Sequence, residues 1–169
     1  LSTTEGIEHL VGLFKSREEK LDILVNNAGA TWGAPIEDFP EDGWDKVMDL
    51  NVKSPFFLTQ ALLPLLHEAE DPCVVFTSSG VGRKGRAYWG AYGVSKFATE
   101  GLMETLADEV DDIRVNGINP GGTRTAMRKA AYPGEDPRIL LTPADIMMPY
   151  LWLVGPDSKG TTGQSYDCQ

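Results

Sequence analysis

Two cysteines, Cys73 and Cys168, and two histidines, His9 and His67, are all that 169 residues contain. The cysteines lie far apart and match no metal or redox spacing. Each histidine falls on a helix flank, where it reads as a surface residue, and two are too few for a metal cluster, so none is expected. Positive charge is also scarce. Fifteen Lys+Arg against 25 Asp+Glu leave a formal charge of −10, which argues against a nucleic-acid partner and an anionic membrane surface. No apolar run approaches 18 residues and no signal peptide is legible, so a reducing, cytoplasmic setting is expected. Internal repeats and low-complexity segments are lacking too. What remains, 41% apolar and 24% charged residues, suits one soluble globular domain with a substantial core.

Taken in order, Ser2-Thr3-Thr4-Glu5 reads as a helix start, and Ile7, Leu10, Val11 and Phe14 keep helical spacing over about residues 4–16. Leu21–Val25 is a short β-branched run, as in a buried parallel strand, and it ends in Asn26-Asn27-Ala28-Gly29. Small residues there let a flat ligand approach the backbone, although a plain strand-ending turn has the same composition. A helix over about 41–68 contains Asn51 and then Pro55. The proline frees a carbonyl one turn back and bends the helix, which makes Asn51 either a surface residue before a kink or a carbonyl facing a site. Cys73–Thr77 is the second strand, a helix fills 90–110, Ile113–Ile118 is the third strand, and 163–167 is a short fourth. Between the last two lie the turn Pro120–Thr125, a stretch over 126–141 expected to be a flexible substrate-covering loop, and a capped helix from Thr142 to about Val154 with a kink expected at Pro149.

Gly80-Val81-Gly82-Arg83-Lys84-Gly85 fits G-x-G-x-x-G after a strand. A dinucleotide fingerprint also needs an acidic residue closing the next strand, and that strand ends at Asn119. A mobile loop carrying Ser79 is the preferred reading of these glycines.

Tyr92 and Lys96 stand at i and i+4 on one face of the 90–110 helix, with Ser79 thirteen residues before the tyrosine. A phenol titrates near pH 10 in water, and an adjacent ammonium favours the phenolate. Together with a serine hydroxyl, the pair suits moving a proton on and off an alcohol or carbonyl oxygen while another agent moves a hydride.

The alternation of strand and helix implies a parallel sheet with right-handed crossovers. Asn26–Gly29, Asn51, Ser79, Tyr92, Lys96 and Pro120-Gly121…Thr125, in that order, resemble the short-chain dehydrogenase/reductase (SDR) superfamily. The resemblance implies an α/β, Rossmann-like doubly wound parallel sheet of about four strands with flanking helices, a single domain over 1–169. It implies an NAD(P)-dependent oxidoreductase interconverting a secondary alcohol and a ketone, of 3-oxoacyl type in some similar bacterial proteins, with NADP put ahead of NAD. Tyr92 becomes the general acid/base and Ser79 orients the substrate oxygen, with Ser78 as its neighbouring decoy. Lys96 lowers the tyrosine's pKa and contacts the nicotinamide ribose, and Asn51 holds a relay water through its carbonyl. Asn26, Asn27, Ala28 and Gly29 line the cofactor with Pro120 and Gly121, and Thr123 and Thr125 meet its nicotinamide end.

One departure stands out. The family's opening strand and Gly-rich turn have no counterpart ahead of the first helix, so an N-terminally incomplete SDR domain is expected, with an exposed apolar edge at Leu21–Val25. The alternative from another class is a non-catalytic SDR remnant serving as an interaction or dimerisation module. A small carbonyl or alcohol substrate is the implied partner, with a homodimer or homotetramer as the assembly. Arg83, Lys84 and Arg86, with Arg124, Arg128 and Lys129, either line the mouth for an anionic substrate or are ordinary solvated charges.

Overall fold

Thr3 starts the first helix by accepting the Gly6 N–H on its hydroxyl at 3.1 Å, which satisfies one of the orphan donors of the first turn. In the computed structural model, which describes residues 1–169, this helix is α1, Thr4–Lys15. Strand β1, Ile23–Asn26, follows two residues later than the apolar run suggests. Next come α2, Glu41–Met48, and α3, Ser54–Leu66, then β2, Cys73–Thr77. Helix α4, Gly90–Glu109, leads to β3, Arg114–Asn119. The chain ends with α5, Ala126–Ala131, α6, Met147–Val154, and β4, Ser165–Asp167. No helix is long and apolar enough to cross a membrane.

The four strands lie in chain order and every pair is parallel. Helices cover both faces. On one, Ile7 and Val11 of α1, Leu58, Leu62 and Leu66 of α3, and Met103 and Leu106 of α4 pack on Val74, Phe76 and Val115. On the other, Leu153 of α6 packs on Cys73, Val75 and Ile118. Burial on both faces is why β2 and β3 read as continuous rather than alternating apolar runs. Strand β1 is the exception: Leu24 is buried, but Ile23 and Val25 are each 42% exposed, the apolar edge expected there.

Four expectations need correcting. The helix over 41–68 is not continuous. Residues 49–53 form a widened π turn, where the Ser54 N–H reaches the Asp49 carbonyl five residues back. Pro55 has no N–H to offer the Asn51 carbonyl, and the extra residue absorbs the mismatch. In the last helical segment the break falls between Ile146 and Met147, where a 3-10 turn becomes α6. Pro149 is the third residue of α6, where a missing N–H costs nothing. The stretch over 126–141 is an ordered segment rather than an open loop. Thr125 caps α5 through the Arg128 N–H at 3.1 Å, and Arg128 grips Glu135 bidentately at 2.7 and 2.6 Å.

The fourth correction concerns residues 80–85. Gly80–Gly82 form a 3-10 turn with Val81 and Gly82 buried, so Gly82 serves close packing rather than mobility. A Cβ on Gly82 meets the Lys96 carbonyl oxygen at 2.7 Å and its carbon at 2.8 Å. Both are helix backbone and cannot yield. Gly82→Ala is therefore expected to cost about 1–3 kcal/mol, read as a lowered urea midpoint, whereas Gly85→Ala, whose Cβ meets nothing within 4 Å, is expected to leave the midpoint unchanged.

Candidate active site

Strand β2 ends at Thr77, and the chain continues through Ser78 and Ser79 past the N-terminal half of α4. In the parallel register β2 ends one residue beyond β1 and one residue short of β3, and a cavity of about 630 Å³ opens at these carboxyl ends. Ser79, Tyr92 and Lys96 share its wall. Lys96 extends from α4 and donates from Nζ to the Thr77 carbonyl oxygen at 2.7 Å. Its nitrogen also lies 5.6 Å from the centre of the Tyr92 ring. Thus the i,i+4 pair faces the same strand end, as the helical spacing requires.

The two serines separate by their partners. Ser78 is buried and donates its hydroxyl to Glu100 in a very short hydrogen bond. The Ser79 hydroxyl makes only a long contact, accepting the Val81 N–H at 3.5 Å, and it interacts with the Tyr92 phenol. Tyr88, the other phenol near this helix, is 70% exposed and stands off the cavity wall.

Burial sets the electrostatics. Desolvation raises the Tyr92 pKa above its ordinary 10, and the Ser79 contact opposes that only in part. The expectation that Lys96 sets the direction of this shift is corrected: its ammonium is directed at the Thr77 carbonyl, and burial prevails. Lys96 itself is pushed down from 10.5 to about 8, chiefly by desolvation and against the pull of Glu100. Both groups are therefore held in their neutral-favouring environment before any ligand arrives.

Asn51 is 2% exposed, which removes the surface reading. Its side chain clamps the backbone of Ala30, accepting the N–H at 2.7 Å and donating to the carbonyl at 2.9 Å. The same amide donates to Ser95 on α4 at 2.9 Å. The residue thus joins the turn after β1 to the helix that carries Tyr92 and Lys96. This side-chain role was not legible in the residue's position before Pro55.

Among the proposed cofactor-lining residues, Asn27, Gly29, Pro120, Gly121, Thr123 and Thr125 stand on the cavity wall. Asn26 does not. It donates to Thr59 of α3 at 3.0 Å, and with Ala28 it borders a separate small crevice. The sequence pattern treats Asn26–Gly29 as one unit, but alternate residues at a strand end point to opposite sides. Residues that the pattern missed complete the wall: Trp89, whose ring centre is 5.2 Å from that of Tyr92, and Tyr150 of α6, which contacts the Thr77 hydroxyl at 3.3 Å. Trp89 sits one turn before Tyr92 and could have been found by helical spacing. Tyr150 carries no local signal.

The two basic clusters do not form a free cationic mouth. Arg83 binds both oxygens of Asp167 at 3.0 Å, and Arg128 is neutralised by Glu135 and stacked 3.9 Å from the Tyr132 ring. Arg124 donates to the Leu140 carbonyl at 3.0 Å. Of the six basic residues only Arg128 reaches the cavity wall, so the expectation of an anionic substrate loses the feature on which it stood.

The model of the short chain dehydrogenase family matches residues 1–136. The Escherichia coli oxidoreductase YciK is 52% identical, the match spanning 99% of this chain and 67% of that protein. A Pseudomonas aeruginosa 3-oxoacyl-[acyl-carrier-protein] reductase of rhamnolipid biosynthesis is 41% identical over 83% of this chain and 57% of its own length. Among solved structures, a Shigella flexneri short chain dehydrogenase complexed with NADP superposes with a TM-score of 0.95 at 52% identity, covering 99% of this chain and 71% of that one. An Escherichia coli short chain dehydrogenase complexed with NADPH gives 0.95 over 99% and 70%. The chain therefore spans between about half and three quarters of the length of these relatives.

The depressed Lys96 pKa carries a stability consequence. Below about pH 8 both folded and unfolded states hold the proton, and the folded state bears the cost of burying the charge. Between about 8 and 10.5 the folded state sheds it first, so the unfolded state binds more protons and stability rises with pH. Measured by urea denaturation against Lys96→Met, wild-type stability is expected to gain up to about 3 kcal/mol across that window.

Proposed function

Because the chain belongs to the short-chain dehydrogenase family, we propose that this oxidoreductase interconverts a secondary alcohol and a ketone of the 3-oxoacyl type, with NADP(H) as cofactor and Ser79, Tyr92 and Lys96 as its catalytic residues. The observation that carries the reading is that these three side chains share the wall of one cavity at the carboxyl ends of parallel strands. In open parallel sheets that is where ligands bind.

The cavity has room for a flat ligand beside the Gly29 and Gly121 backbone, and NADP and NADPH occupy the two solved relatives described above. Asn27, Gly29, Pro120, Gly121, Thr123 and Thr125 would hold the dinucleotide along one wall, with Lys96 reaching its ribose. When bound, it supplies or accepts the hydride. Tyr92 delivers the proton to the ketone oxygen in reduction and removes it from the alcohol in oxidation. Ser79, whose hydroxyl has no strong partner, donates a hydrogen bond to the same oxygen. Lys96 supplies positive charge on the same wall as proton transfer develops. Trp89, Met127 and Ala131 offer an apolar surface beside Tyr92, matching an acyl chain, and the P. aeruginosa relative is named for that substrate class.

The proposed assembly is a homodimer or homotetramer. Phe56 and Phe57 on α3, and Val94 and Phe97 on α4, are each more than 40% exposed, an apolar face that a second copy would cover.

Two measurements test these readings. Tyr92→Phe keeps the ring and its packing, so with acetoacetyl-CoA and NADPH kcat is expected to fall about 10²–10⁴-fold with KM little changed. Activity within a few-fold of wild type would assign the proton to another group. By sedimentation, wild type is expected as a dimer or larger and Phe97→Asp as a monomer, and wild type already monomeric would exclude this face as the interface.

A further inference from the structure

Tyr92, Lys96 and Glu100 follow one another at four-residue intervals along α4, so all three rise from one face of the helix. The third member has no place in the proposed proton transfer, yet its carboxylate is engaged from several sides. Its side chain is 12% exposed. One oxygen, Oε1, accepts from Ser78 in the very short bond noted above and from the Ser165 hydroxyl of β4 at 3.1 Å. The same oxygen lies 3.5 Å from Arg83 Nε. Arg83 in turn donates to Ser165 at 2.7 Å and grips Asp167, which also accepts from Asn119 at 2.8 Å. A single carboxylate thus ties together α4, the end of β2, the turn after it and β4.

We propose that Glu100 is a positioning residue of this site: it fastens the Ser78–Ser79 end of β2 to α4 and sets a negative charge one helical turn beyond Lys96. The inference rests on the assignment of Ser79, Tyr92 and Lys96 given above.

The geometry supplies both halves. Ser79 has no strong side-chain anchor of its own. Its carbonyl accepts the Gly82 N–H at 2.8 Å, and its neighbour Ser78 donates its backbone N–H to the Ile118 carbonyl at 2.7 Å. The Ser78 side chain is held by Glu100, a side-chain bond that ties this strand end to α4. Hydrogen bonds to a charged acceptor are shorter and about twice as strong as neutral ones, which suits a tether that must keep a hydroxyl in register. The groups facing Lys96 are few. They are the Tyr92 ring, the Thr77 carbonyl with Tyr150 behind the Thr77 hydroxyl, and Glu100. Arg83 and Asp167 lie behind Glu100 and offset one another. Glu100 is therefore the one carboxylate that opposes the desolvation of the Lys96 ammonium.

Two variants separate the tether from the charge. In Glu100→Gln the amide oxygen still accepts from Ser78 and Ser165, but the charge is gone. Ser78→Ala cuts the tether and leaves the charge. The first readout is the titration of the Lys96 side-chain amine by NMR in the full chain, assigned by its loss in Lys96→Met. Glu100→Gln is expected to move it down by about 1 pH unit, and the alkaline limb of kcat/KM for acetoacetyl-CoA reduction is expected to move with it. Ser78→Ala is expected to lower kcat about tenfold with neither the titration nor the limb displaced. An unmoved Lys96 titration in Glu100→Gln overturns the charge half, and unchanged kcat in Ser78→Ala overturns the tether. If wild type lacks reductase activity while the titration still shifts, the reductase reading falls and the placement of Glu100 beside Lys96 stands.

Discussion

The contact on which the rest of the site depends is the one between the Lys96 ammonium and the Thr77 carbonyl. A lysine that is only 6% exposed is costly, and it is tolerated only when its donors find partners. Thr77 is the last residue of β2, so its carbonyl has left the ladder and is free to accept. The bond therefore needs the strand to end at that residue and the helix to present Lys96 opposite it. Gly82 makes the approach possible, because any larger residue there would strike the Lys96 backbone.

From that contact the remaining placements follow as consequences of packing. With α4 pinned to the end of β2, Tyr92 is carried onto the cavity wall one turn earlier. Asn51 then closes the third side by holding the turn after β1 against Ser95 of the same helix. The π turn that contains Asn51 is the local irregularity that allows an amide from a buried helix to reach both neighbours. Three elements distant in sequence are thereby fixed around one opening, and the flat backbone surfaces at Gly29 and Gly121 border it. Pre-organisation of this kind is what a proton transfer between a phenol and a substrate oxygen requires.

Charge is used sparingly. The chain carries a formal −10, yet near the cavity the acidic groups are spent on arginines: Asp167 on Arg83 and Glu135 on Arg128. Both pairs fasten segments that border the opening, the first joining β4 to the turn after β2 and the second bracing α5. The cavity's own wall is left mostly apolar, with Trp89, Met127, Ile146, Met147 and Leu151 contributing to it.

The order of the strands and of the helices other than α5, the parallel sheet and the Tyr92–Lys96 pairing were legible in the sequence because each rests on local periodicity. Apolar runs doubly covered by helices lose their alternation, and i,i+4 residues share a face whatever surrounds them. The SDR motifs, spread over nearly the whole chain, carried the family. Exact ends were less legible: β1 begins at Ile23 rather than Leu21, and the 41–68 helix divides at a π turn where Pro55 had marked only a bend. Only the tertiary structure decided which partners the polar side chains take. Ser78 and Ser79 differ in role because one faces Glu100 across 22 residues and the other faces Tyr92. Asn26 turned away to Thr59, and Arg83 and Arg128 found carboxylates 84 and 7 residues on. The physical reason is the same in each case. A hydrogen bond or ion pair is set by distances of about 3 Å, and sequence spacing fixes such distances only within a helix turn or a strand pair, not across a crossover.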